Sequence, residues 1–185
     1  MKRITLLTFL LAFTSAVCAD NYVIDTRGAH AAITFKFKHI GISWLVGQFK
    51  TFSGEFTYNP DNIGATTISV DIDPASIDSN HAERDKHMRG AKYLNAAKFP
   101  TAKFVSTKVT ATDDGTASVE GDLTLHGVTK NIRFDASVVG QGKDPWGGYR
   151  AGFEATYTLN TQDFGMSFPP SNTVELGLFI EGIRR

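Results

Sequence analysis

Apolar and polar positions alternate along most of this chain. In residues 33–39, Ile33, Phe35, Phe37 and His39 fall on one face and Thr34, Lys36 and Lys38 on the other. This two-residue period is that of a strand with one buried face. The same pattern recurs at 52–58, with Phe52 and Phe56 in step, and at 67–72, where Ile68, Val70 and Ile72 point inward. Further runs at 102–109, 117–125, 131–139, 149–159 and 174–183 bring the expected strands to eight. Turn signals separate them, among them Asn59-Pro60-Asp61-Asn62 and Asp113-Asp114-Gly115. Asp-Gly supplies the positive φ of a tight hairpin. Eight short strands with closely spaced turns predict an all-β fold, an antiparallel barrel or sandwich.

One block breaks the alternation. Asn80-His81-Ala82-Glu83-Arg84-Asp85-Lys86-His87-Met88-Arg89 has helical character and only two apolar residues. Asn80 is the expected N-cap, with Glu83 three residues on closing a capping box, and Gly90 is the expected stop. Asp85 and Arg89 have the favourable i,i+4 spacing. A second short turn over 92–97 completes a helical insertion around residues 80–97. At 100° per residue Met88 shares a face with His81, Arg84 and Asp85. With Met88 inward, the helix becomes a lid or rim, and Arg84 and Asp85 come to the mouth of the barrel. There an arginine suits a polar or phosphorylated head group. The plainer alternative is a solvated surface helix held by its own ion pairs.

The ends and the composition narrow the picture. Lys2 and Arg3, the apolar run 4–13 and Val17-Cys18-Ala19 form the pattern of a secretory signal peptide, too short to span a membrane. Cleavage after Ala19 is expected, leaving residues 20–185 as a single exported domain, with periplasmic localisation. Cleavage would remove the only cysteine, so the fold relies on its core rather than on disulfides. Loss of Lys2 and Arg3 leaves two more acidic than basic residues. That balance gives no argument for nucleic acid or for an anionic membrane, and no later segment is long enough to span a bilayer.

Twelve of the fourteen phenylalanines lie beyond residue 19. An eight-stranded barrel has an interior that side chains can just fill, or that can hold one small ligand. With no second sheet or long amphipathic helix to cover a large apolar face, the phenylalanines are expected to line a cavity. Catalytic motifs are missing. His81 and His87, six apart, fall on different faces of a helix and cannot chelate together. There is no Gly-x-Ser-x-Gly and no phosphate-binding glycine loop. No metal and no cofactor are expected. Trp146, in the loop-like stretch 140–148, is read as a cap on the barrel end or a gate.

Several longer motifs carry a resemblance. They are His39-Ile40-Gly41-Ile42-Ser43-Trp44 followed by Gly47 and Phe49, the block 80–89, Phe99-Pro100, the stretch 121–130 and Asp144-Pro145-Trp146-Gly147-Gly148. Taken in order across nearly the whole chain, they resemble the YceI family. The resemblance implies a lipocalin-like, extended eight-stranded antiparallel barrel that holds a long amphiphile of polyisoprenoid or fatty-amide type. It implies exported carriers or storage proteins, some linked to stress, some dimeric, and no catalytic set. Many relatives have an arginine just before Asp-Phe-Gly near the end of the domain; this chain has Gln162 before Asp163-Phe164-Gly165. The residues expected at the ligand are Ile33, Phe35, Phe37, His39, Trp44, Phe52, Phe56, Arg84, Asp85, Met88, Phe104, Leu123, Leu125, Trp146 and Phe164. The function expected is binding and carriage of a long-chain isoprenoid or lipid. The alternatives are a lipid-modifying enzyme using His39 or Asp85 as acid or base, and an interaction module with a solid core.

Overall fold

The structure, a computed structural model, describes residues 19–168 and 171–185. The segment read as a signal peptide lies outside the described residues except for Ala19. The described residues form eleven strands and one α-helix: β1 (Asp20–Ile24), β2 (Ala32–His39), β3 (Ser43–Phe49), β4 (Phe52–Tyr58), β5 (Thr67–Ile72), β6 (Ile77–Asp78), α1 (Ala82–Arg89), β7 (Ala102–Ala111), β8 (Ala117–Leu125), β9 (Val128–Lys143), β10 (Tyr149–Asn160) and β11 (Thr173–Arg184). All pairings are antiparallel, and β1 closes the ring onto β11.

Eleven strands make eight staves. β11 pairs with β1 through Val23↔Ile183 and, further along, with β2 through Phe35↔Leu176. β1 pairs with β4 while β2 pairs with β3, and β4 pairs with β5 while β3 pairs with β6. So β1 and β2 are two halves of one bent stave, as are β4 and β3, and β5 and β6. The eight runs predicted by alternation supply one strand to each stave, and β1, β3 and β6 are the additional halves. Closure of β1 onto β11 pairs the strand edges except at β6, which pairs on one side with β3, and a barrel of this size has room inside for side chains or one ligand.

The two ends differ. At one end the β2–β3 hairpin, α1, the segment 90–101, the β8–β9 turn and the β10–β11 connection come together. Met88, Leu94, Phe164 and Met166 join Phe35, Leu45 and Ile77 there in one buried cluster. At the other end lie the β7–β8 turn, the connection 59–66 and the β9–β10 hairpin. A second cluster of Tyr22, Ile24, Ile33, Phe56, Tyr58 and Val70 fills the wall nearer that end.

α1 is capped by His81, whose Nδ1 accepts from the Arg84 N–H at 3.2 Å. This corrects the expected Asn80 cap. Asn80 has φ of +63°, and its own N–H donates to Asp78, so it forms the turn that precedes the helix.

Candidate functional site

The barrel is hollow. A cavity of about 500 Å³ runs along its axis, within the size range of small-molecule sites. Alternation brings Ile33, Phe35 and Phe37 of β2, Phe56 of β4, Phe104 of β7, and Leu123 and Leu125 of β8 onto its wall, with Met88 of α1. Further wall comes from Ile68, Val70, Phe134, Tyr157, Leu176 and Leu178. Glu154 is the one charged residue among the described lining residues, and it is exposed. Burial pushes the Tyr58 and Tyr157 phenols above their ordinary range, with smaller contributions from Tyr149 and Asp163 respectively. Both phenols therefore stay neutral in the wall. Such an interior favours an uncharged hydrocarbon body and penalises a buried ion.

The hollow has a cause in the sequence. Inward-facing glycines sit beside phenylalanines on the same wall. A Cβ on Gly47 would overlap Phe35 Cζ, one on Gly121 would lie 2.5 Å from Phe104 Cζ, and one on Gly182 2.5 Å from Phe56 Cζ. Each ring is laid over the bare backbone of its neighbour. Phenylalanine thus coats the wall and leaves the axis clear.

Helix α1 closes the cavity floor. Met88 and Leu94 line it and are buried, as are Thr161 and Met166 at the same end. At the opposite end the lining includes exposed Pro60, Ala111, Gly115 and Val138. The opening is therefore at the β7–β8 turn, and the expected placement of α1 at the mouth is corrected. Arg84 and Asp85 do not reach the cavity. Asp85 accepts from the Ser79 N–H at 2.9 Å and from the Ser79 hydroxyl. Arg84 donates from Nε to the same hydroxyl at 2.7 Å and from Nη2 to the Ser79 carbonyl at 2.6 Å. All polar groups of Ser79 are thereby satisfied, and the pair anchors the entry to α1.

The other predicted positions divide by geometry. His39 is exposed at the end of β2. Trp44 points outward from β3 at 55% exposure, and Trp146 at the tip of the β9–β10 hairpin is 77% exposed. Phe52 is half-buried against the second cluster, and Phe164 is buried beneath the floor; neither lines the cavity. Two buried hydroxyls on lining residues escaped the sequence reading: Thr66 Oγ1, near the opening, and Thr161 Oγ1, at the floor, have no hydrogen-bond partner among the described residues. A threonine in an alternating strand or short turn gives no sign that its hydroxyl will lack a neighbour.

A separate polar cluster lies near the open end. Arg150 Nη1 donates to Asp25 at 2.7 Å and to Glu181 at 2.6 Å, while its Nε donates to Asp144 at 2.8 Å. His30 Nδ1 lies 2.9 Å from Asp25. Ligand atoms of Asp25, His30 and Glu181 fall within 4.8 Å of one another, but the guanidinium already bridges both carboxylates. The cluster is a set of ion pairs around an arginine that ties β10, β11 and the loop after β1.

Fold and cavity together define a hollow, lipocalin-like antiparallel barrel with an apolar chamber. The chain belongs to the YceI-like domain family, whose model matches residues 22–181. A UPF0312 protein of Ectopseudomonas mendocina (strain ymp) is 54% identical over 173 residues, spanning 92% of this chain and 90% of that protein. Burkholderia cenocepacia BcnA shares the fold at a TM-score of 0.76 and 18% identity, covering 85% of this chain and 98% of that one. A polyisoprenoid binding domain from Saccharophagus degradans, implicated in plant cell wall breakdown, matches at a TM-score of 0.65 and 14% identity, over 89% of this chain and 98% of that one.

Proposed function

We propose that this protein is a periplasmic carrier that holds a long-chain amphiphile, of polyisoprenoid or fatty-amide type, inside the barrel. The observation that carries this reading is the continuous apolar chamber, floored by Met88 and Leu94 and open at the β7–β8 turn. Each methylene buried there contributes roughly 0.8 kcal/mol before ordering costs, so a long chain suffices for tight binding without a charged anchor. The polyisoprenoid binding domain of similar fold supports the ligand class. The signal-peptide pattern at residues 1–19 supports export. Binding rather than catalysis is favoured because the two groups considered as acid or base stand away from the chamber: Asp85 is engaged by Ser79, and His39 is in solvent. Ile33, Phe35, Phe37, Phe56, Met88, Phe104, Leu123 and Leu125 are the proposed ligand contacts.

The test is direct. Protein purified from the periplasmic fraction of its own cells is examined by native mass spectrometry, and its extract by lipid analysis. One long-chain molecule per barrel is the expected result. A barrel that arrives empty and takes up no fluorescent lipid probe overturns the proposal. Conversion of the bound lipid over time replaces the carrier with an enzyme.

A further inference from the structure

The outer face of the β2–β3 hairpin is apolar where a core has no use for it. Its inner face, with Phe35 and Leu45, is buried. On the outside, Ile40 and Ile42 at the tip and Trp44 and Val46 behind them are 58%, 81%, 55% and 59% exposed. Lys38 stands opposite Trp44, and Lys36 opposite Val46. Their ammonium nitrogens lie 5.7 and 5.1 Å from the centre of the Trp44 ring. We propose that this hairpin is a membrane-surface anchor, docking on anionic phospholipid with its isoleucines at the acyl boundary and its lysines among the phosphates.

Three features carry the proposal. The first is order along the hairpin. Strand rise places Trp44 roughly 7 Å behind Ile42, and Val46 about as far again. The sequence from tip to base is aliphatic, then indole with cations, with Val46, opposite Lys36, behind them. That is the order a bilayer presents from hydrocarbon to headgroup, and the depth matches the roughly 5–10 Å that interfacial elements reach. The second is backbone strain. Ile40 has φ of +46° and Gly41 +78°, and the Ile42 N–H donates to the His39 carbonyl at 3.0 Å. Such a primed turn favours asparagine at the first central position, and a β-branched residue is costly there. The chain holds isoleucine at the tip against its own conformational preference.

The third is charge. The whole chain is electrically balanced, but no acidic residue occurs between Asp25 and Glu55, a stretch that contains Arg27, Lys36, Lys38 and Lys50. Glu175 meets Lys36 at 2.7 Å and Asp78 meets Lys50 at 3.3 Å. Lys38 has no ion-pair partner among the described residues. An anionic surface supplies that partner and competes for Lys36. A second copy of the chain fits less well, since self-pairing of this patch crowds four lysines around one apolar strip.

The experiment uses flotation with vesicles of phosphatidylcholine alone and with added phosphatidylglycerol. Partitioning onto the anionic vesicles is expected, with Ile42→Asp lowering it about tenfold or more and Lys38→Glu about fivefold. In a Trp146→Phe background, the remaining tryptophan is expected to shift to the blue and to be quenched by brominated lipid. Ile40→Asn separates docking from folding: it relaxes the turn and raises Tm, yet weakens partitioning. Lipid-probe uptake by Ile42→Asp in solution stays as in the parent, so loss of docking and failure of the chamber reading are distinguished. The proposal is overturned if vesicles recruit no protein, if Ile42→Asp leaves recruitment unchanged, or if the patch instead drives a dimer that Ile42→Asp dissolves.

Discussion

At the scale of single residues, the chamber is a matter of which atoms are missing. Alternation made the inward direction of Ile33, Phe35, Phe56 and Phe104 legible, because a strand shows its two faces directly in sequence. It did not reveal that these rings lie flat. That depends on glycines such as Gly121, which is remote in sequence from Phe104 and meets it only through the β7–β8 pairing. Gly121→Val tests the point. Its side chain would occupy the space where Phe104 Cζ lies, as well as approach the Val105 carbonyl. The expected outcome is displacement of the ring into the lumen and a loss of lipid-probe capacity, with an overpacking cost of about 1–3 kcal/mol read by denaturant unfolding. Unchanged capacity would mean that the ring does not guard the lumen. Arg84 and Asp85 show the opposite limit. The helical period sets them beside Met88, but a charged pair beside an inward methionine looks the same whether it greets a ligand or grips Ser79.

At the scale of elements, three bent staves account for what strand patterning missed. β6 has two residues, too few for a period, and β1 follows directly on the segment read as a signal peptide. β3 reads Ser43-Trp44-Leu45-Val46-Gly47-Gln48-Phe49, apolar on both faces in its first half because Trp44 and Val46 point to solvent. Alternation presumes a polar outer face and fails where that face is itself apolar. Helix α1 is the counterpart. It carries almost no apolar stripe, yet the single buried methionine is what closes the floor, with Leu94 and Ala96 from the following turns buried beside it. Met88→Asp should therefore weaken lipid uptake at least tenfold by placing an unpaired charge at the end of an apolar chamber, whereas Lys86→Ala, on the exposed side, should leave it as in the parent. Titration with a fluorescent fatty-acid probe reads both. Equal effects would show that α1 is only a surface helix.

At the scale of the molecule, the ring is fastened where its first stave breaks. Residues between β1 and β2 leave the sheet, and Asp25 at the break is held by Arg150 of β10, by His30 and by the Gly28 N–H. These contacts, Arg150 first, hold the Asp25 carboxyl far below its usual range, and Arg150 likewise lowers Asp144. The sign of the pH effect follows. A carboxyl whose folded pKa is depressed contributes stability that is complete above its unfolded value of about 4 and is lost as pH falls toward the folded value. Asp25→Asn should then cost on the order of 2 kcal/mol at neutral pH, with a lower Tm, and the deficit relative to the parent should shrink as pH drops below about 4. Differential scanning calorimetry of both proteins across that range measures it. A deficit that stays constant into acid would assign the loss to changed packing, and the closure of the barrel would then rest on its backbone ladder without help from the Arg150 cluster. The cluster lies toward the opening, beside β1, β10 and β11, so its acid release should loosen the mouth and speed lipid exchange there while Met88 and Leu94 keep the floor shut.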